Sequence, residues 1–185
     1  MTSPGEHTLY SGGAAGTEAF FGEMAERFGV QEVNYSFEGH KPSRTRGQRV
    51  LTLEELARKD VSLAYVSKLL GRTFTNAPYM RRVLQTIMYQ VDSAMEVFVV
   101  GTVQEDGTIK GGTGWGAEFA KICNKPLYVY GQVRDGWFGW DREDMAWVTV
   151  DAPVVGHAHF TGTGTRFLED NGRKAIEDLF VRSFG

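Results

Sequence analysis

Between Pro78 and Ala94 the apolar residues Met80, Val83, Leu84, Ile87, Met88 and Val91 recur at i, i+3, i+4, i+7, i+8 and i+11. That spacing predicts a helix with one buried stripe, and Pro78 suits its first turn. The run "MEVFVVGTV" (Met95 to Val103) follows, its unbroken apolar centre predicting a strand covered on both faces. Upstream, Phe20, Phe21, Met24, Ala25 and Phe28 mark a helix from Thr17, a suitable N-cap, to Gly29, a suitable stop. The segments "HTLYS", "EVNYSF" and "PLYVYG" read as strands, and Leu53 to Leu70 as one or two helices.

Other stretches have no such period. "EGHKPSRTRGQR" is polar and basic and reads as a solvated loop, while "QEDGTIK" reads as a tight excursion turning at Asp106-Gly107. After Gly131 the chain becomes aromatic and turn-rich, which predicts a hairpin or edge excursion rather than another strand–helix unit. A final helix from about Gly172 to Phe184 carries Ala175, Ile176, Leu179 and Phe180 on one face. Strands alternating with helices define an α/β domain over residues 1–185: an open, mostly parallel sheet flanked by helices, with a C-terminal hairpin excursion and a final helix.

Composition narrows the functional classes. Twenty basic and twenty-three acidic residues leave a formal charge of −3, which gives no electrostatic case for nucleic-acid binding. Cys123 is the sole cysteine, so no internal disulfide forms, in keeping with a reducing cytoplasm. The N-terminal residues lack the basic-then-apolar layout of a signal peptide, and no run reaches transmembrane length. The expectation is a cytoplasmic protein with no membrane partner. His157 and His159 alternate in "GHAHF" as on one strand face, but with no further ligand nearby a metal site is not expected. No cofactor is expected either.

Glycine is the feature that asks for chemistry. Gly111, Gly112, Gly114 and Gly116 crowd six positions directly before a helix. "SGGAAGTE" (Ser11 to Glu18) joins the first strand to the first helix. In an open parallel sheet both loops fall at the carboxyl ends of strands, where ligands bind. Backbone N–H groups left bare by small residues, with the helix N-terminus behind them, suit an anion. Ser11, Gly12, Gly13, Gly16, Thr17 and Glu18 in one loop, and Gly111, Gly112, Thr113 and Gly114 in the other, are therefore candidate ligand contacts. The competing reading is that such turns merely let a helix pack against the sheet. Neither loop is a Walker A motif, and neither has the G-x-G-x-x-G spacing of dinucleotide dehydrogenases. Arg81 and Arg82 lie off the apolar stripe near the same edge, and arginine's planar fork suits phosphate; the sequence does not choose between the two.

The stripe helix, "DSAMEVFVVG" and "GGTGWGAE" resemble a Rossmann-like superfamily. It includes the cytokinin-activating LOG phosphoribohydrolases, molybdenum-cofactor carrier proteins, the DNA-processing protein DprA and nucleotide-sensing SLOG domains. "SGGAAGTE" is similar to the first glycine loop of that group, and the resemblance runs from about Leu9 to Gly131. It implies a Rossmann-like fold, a nucleotide-type phosphate-bearing ligand and a homo-oligomer. In LOG enzymes a Pro-Gly-Gly-x-Gly-Thr-x-x-Glu loop follows its strand directly. Gly111, Gly112 and Gly114 fall on that motif's glycines, and Glu118 on its glutamate, which makes Glu118 the catalytic candidate if the chain hydrolyses an N-glycosidic bond. Trp115 stands where the motif has threonine, Lys110 where it has proline, and "QEDGTIK" separates strand from loop. These departures favour a sensor, carrier or sequestering protein over a hydrolase.

The remaining candidates read more plainly. Trp137, Phe138 and Trp140 are expected to cover the sheet edge, and Cys123 to pack. "TGTGTR" (Thr161 to Arg166) is a third small-residue cluster, either lending hydroxyls to a pocket or turning the chain.

Overall fold

A computed structural model describes residues 3–74 and 77–185. After a 3₁₀ turn, Pro4–Glu6, come β1 (Thr8–Ser11), α1 (Thr17–Phe28), β2 (Gln31–Phe37), β3 (Gln48–Leu51), α2 (Leu53–Ala57) and α3 (Asp60–Leu70). The second half holds α4 (Pro78–Ser93), β4 (Glu96–Gly101), α5 (Thr113–Ile122), β5 (Leu127–Gly131), β6 (Gly136–Asp141), β7 (Ala146–Thr149), β8 (His159–Gly164) and α6 (Asp170–Phe184).

Local chemistry explains the boundaries. Gly29 ends α1 at φ 74°, a left-handed position that costs a side chain about 1–2 kcal/mol. The Thr52 hydroxyl accepts from the Glu55 N–H while the Glu55 carboxylate accepts from the Thr52 N–H, a reciprocal cap that starts α2. Lys125 donates to the carbonyls of Val91, Asp92 and Ala94, satisfying the C-terminus of α4. The α4 stripe is buried from Leu84 to Val91, but Met80 at its start is 42% exposed.

The strands form one sheet in the order β3-β2-β1-β8-β4-β5-β6-β7. The first six are parallel; β6 and β7 add an antiparallel hairpin at one edge. Helices α3, α4 and α5 pack on one face against Val97, Val99 and Val129. On the other, α1 and α6 pack against Phe98, Val100 and Phe160. No helix among the described residues is long and apolar enough to cross a membrane.

Three expectations need correction. Residues 48 and 49 of the basic stretch belong to β3, an edge strand whose first three residues are exposed. His157 precedes β8, so the two histidines do not share a strand face. Most consequentially, "TGTGTR" is not a turn: His159–Gly164 is the strand at the centre of the sheet, between β1 and β4. It is written in small residues because its neighbours press close. A side chain at Gly162 would collide with the Phe21 ring. The approach to β8 is pinned by the buried Glu96 carboxylate, which accepts from the N–H groups of Gly156 and His157 at 2.7 and 2.8 Å.

Candidate functional site

Because β1, β8 and β4 are parallel neighbours, Ser11, Gly164 and Gly101 end at one edge of the sheet. Both glycine loops therefore leave the same edge, from strands two places apart, roughly 10 Å at ordinary strand spacing. The helices that follow β1 and β8 pack on one face, while α5, which follows β4, packs on the other. The switch in direction falls between the carboxyl ends of β8 and β4, the place where open α/β sheets form their ligand crevice.

The first loop is filled by the chain itself. Oε2 of Glu18 accepts from the N–H groups of Gly12 and Ala14 at 3.2 and 3.1 Å. Oε1 accepts from the Thr163 hydroxyl of β8 at 2.9 Å. The Gln90 amide, in the orientation that satisfies both of its ends, donates to Oε1 at 3.3 Å and accepts from the Gly12 N–H at 3.1 Å. Burial raises the Glu18 pKa, and its hydrogen bonds offset only part of the shift. Each glycine here has a close neighbour within the protein. A side chain at Gly12 would meet Gln90, one at Gly13 the Arg44 carbonyl, and one at Gly16 the Arg166 backbone. Ser11, Gly12, Gly13 and Thr17 are all buried. Arg44 itself lies against Gly22 and pairs with the buried Glu32 at 2.5 Å and with Glu26 at 2.7 Å.

The second loop is open. Gly111 takes φ +74°, which favours glycine, and Gly114 lies against the Ile109 carbonyl. Gly112 is different. Its φ of −61° and ψ of −31° are ordinary helical values, and nothing lies within 4 Å of where a side chain would stand. The N–H groups of Gly112 and Thr113 find no acceptor among the described residues. Arg72 holds the turn from beneath, donating to the carbonyls of Gly111 and Ile109 at 3.0 and 3.1 Å.

Across the crevice, the turn after β8 is tightly held. The Thr165 N–H donates to the Val100 carbonyl at 2.9 Å, and the Thr17 hydroxyl to the Thr165 carbonyl at 2.8 Å. The Phe167 N–H donates to the Thr165 hydroxyl at 3.0 Å. This turn presents Arg166, exposed and with no ion pair among the described residues, and Phe167. The sequence reading reaches Arg166 only as the end of "TGTGTR" and does not single out Phe167. "TGTGTR" was a visible signal, but only its central position in the sheet brings it to the crevice.

The arginines sit elsewhere. Arg82 borders two adjoining cavities of about 330 and 250 Å³, and Arg81 the smaller; no residue of either glycine loop lines them. Arg81 is bound to Asp60 at 2.7 Å, and Gln85 donates to the same carboxylate at 2.8 Å. Arg82 lies over the Phe37 ring with no ion pair among the described residues. Glu118 is in the second turn of α5, paired with Lys121 at 3.2 Å. Lys121 in turn sits 3.7 Å from the centre of the Trp140 ring, on the hairpin side of the helix. Comparison with protein-family models, curated proteins and solved structures gives no match in any of the three.

Proposed function

We propose that this chain binds a small nucleotide-type molecule in the crevice between β8 and β4, with a phosphate resting on the Gly111–Thr113 start of α5. One observation carries the reading: Gly112 is a glycine that neither its backbone conformation nor its surroundings require. Glycine there makes sense if an external group must approach the main chain closely. The free N–H groups of Gly112 and Thr113, with the α5 dipole behind them, suit an anion.

Binding without turnover is favoured over N-glycosidic hydrolysis. Hydrolysis calls for a carboxylate at the ribose, where positive charge develops in the transition state. Glu118 is engaged by Lys121, which itself sits over the Trp140 ring, and Glu18 is buried under four donors. Thermal-shift and calorimetric titration with nucleoside mono-, di- and cyclic phosphates, each against its unphosphorylated nucleoside, tests the reading. A phosphorylated member at 100 times its Kd should stabilise the fold by about 2.7 kcal/mol. If none stabilises it, the reading falls. Release of free base on incubation would restore hydrolysis.

A further inference from the structure

Among the described residues, two of the most exposed apolar side chains, Phe167 at 82% and Val133 at 83%, lie in loops that touch. Val133 lies just beyond the end of β5, and Phe167 just beyond β8, the strands on either side of β4. Isolated apolar residues on a surface carry no message. These two are joined by Gln132, whose backbone and side chain tie their loops together. Its Nε2 donates to the Phe167 carbonyl at 3.1 Å, and its Oε1 accepts from the Glu169 N–H at 2.7 Å. Its own carbonyl accepts from Asn171 at 2.9 Å. Gly172 leaves room for the arrangement, since a side chain there would strike Gln132. The backbone beneath both residues is thus held in place while their side chains project into solvent.

Resting on the reading of the crevice given above, we propose that Phe167 is the platform on which the flat base of the ligand stacks. The phosphate would then lie across the crevice on Gly112 and Thr113. An aromatic ring stacks on any base, since every base offers a π face. Phe167 would supply affinity for a nucleotide without choosing among bases. Arg166, on the same turn, is the neighbouring cation.

The test is calorimetric titration of wild type and Phe167→Ala with the four common nucleoside 5′-monophosphates, using ribose 5-phosphate as the probe without a base. Phe167→Ala should weaken nucleotide binding about tenfold or more, leave ribose 5-phosphate binding unchanged, and melt at the wild-type temperature. A Phe167→Trp variant should bind like wild type and show indole quenching with nucleotides but not with ribose 5-phosphate. Equal nucleotide affinity in wild type and Phe167→Ala would overturn the platform while leaving the phosphate site intact. So would a change of oligomeric state in Phe167→Ala by size-exclusion chromatography with light scattering, which would make Phe167 a subunit contact. Failure of wild type to bind any of the five probes, or any nucleoside di- or cyclic phosphate, would remove the underlying reading along with the platform.

Discussion

Gly112→Ala should make the protein more stable and worse at binding, a pairing that a purely structural glycine does not produce. At φ −61° and ψ −31°, with open space around it, alanine fits without strain. Replacing glycine at such a position stabilises by about 0.4–1 kcal/mol, chiefly by restricting the unfolded chain. For a domain of this size that is an increase in Tm of about 1–4 °C. The added methyl stands on the surface a phosphate would occupy, and a tenfold loss of affinity corresponds to about 1.4 kcal/mol. Gly111→Ala is the control: at φ +74° it should lower stability by about 1 kcal/mol. Scanning calorimetry gives the first quantity and isothermal titration with the tightest-binding nucleotide the second. A Gly112→Ala protein that melts lower than wild type, or binds equally well, would refute the reasoning.

Further expectations follow from the network around the site. Burial holds the folded pKa of Glu18 above its unfolded value, so this group adds stability as pH falls through the folded pKa and loses it as pH rises. The Tm of wild type minus that of Glu18→Gln, which does not titrate, should therefore increase from pH 7 to pH 5; a flat difference would mean the carboxyl is not perturbed. Arg44→Ala leaves the buried Glu32 with only Arg46, at 3.2 Å, as a cationic partner, and should lower the urea-unfolding free energy by about 2–3 kcal/mol. A change below 0.5 kcal/mol, roughly the effect of an ordinary surface substitution, would contradict that. Arg82→Ala should leave nucleotide affinity in place, because Arg82 borders the cavities by α2 rather than the crevice; loss of binding there would move the site.

Long-range geometry decides which parts of this molecule can be read from its sequence. The α4 stripe is legible from its helical period, the β4 run from its unbroken apolar centre and the C-terminal hairpin from its aromatic, turn-rich composition, all of them local signals. The central strand β8 is not, since "HFTGTG" has one large apolar residue. Its small positions answer to Phe21, Glu18 and α5, all remote in sequence. The two glycine loops look alike on paper. Structure separates them: the first is small because Gln90, Arg44 and Arg166 crowd it, while in the second Gly111 answers to its positive φ and Gly114 to the Ile109 carbonyl, and Gly112 alone has neither reason. Helix position puts Arg81 and Arg82 at the start of α4, but it does not reveal that this end lies by Phe37 of β2 rather than by α5.

The late arrival of β8 has a consequence for how this protein is made. When the chain emerges from the ribosome, the residues of β1, β2 and β3 and of β4 to β7 all precede the strand that joins them in the finished sheet. The inner strand of each group, β1 or β4, lacks its partner on that side until residues 159–164 appear. Open strand edges of that kind recruit other chains, and pairings between distant residues form slowly. Any sheet that β4 forms before residues 159–164 are made therefore leaves this apolar strand with a bare hydrogen-bonding edge, which the last strand closes.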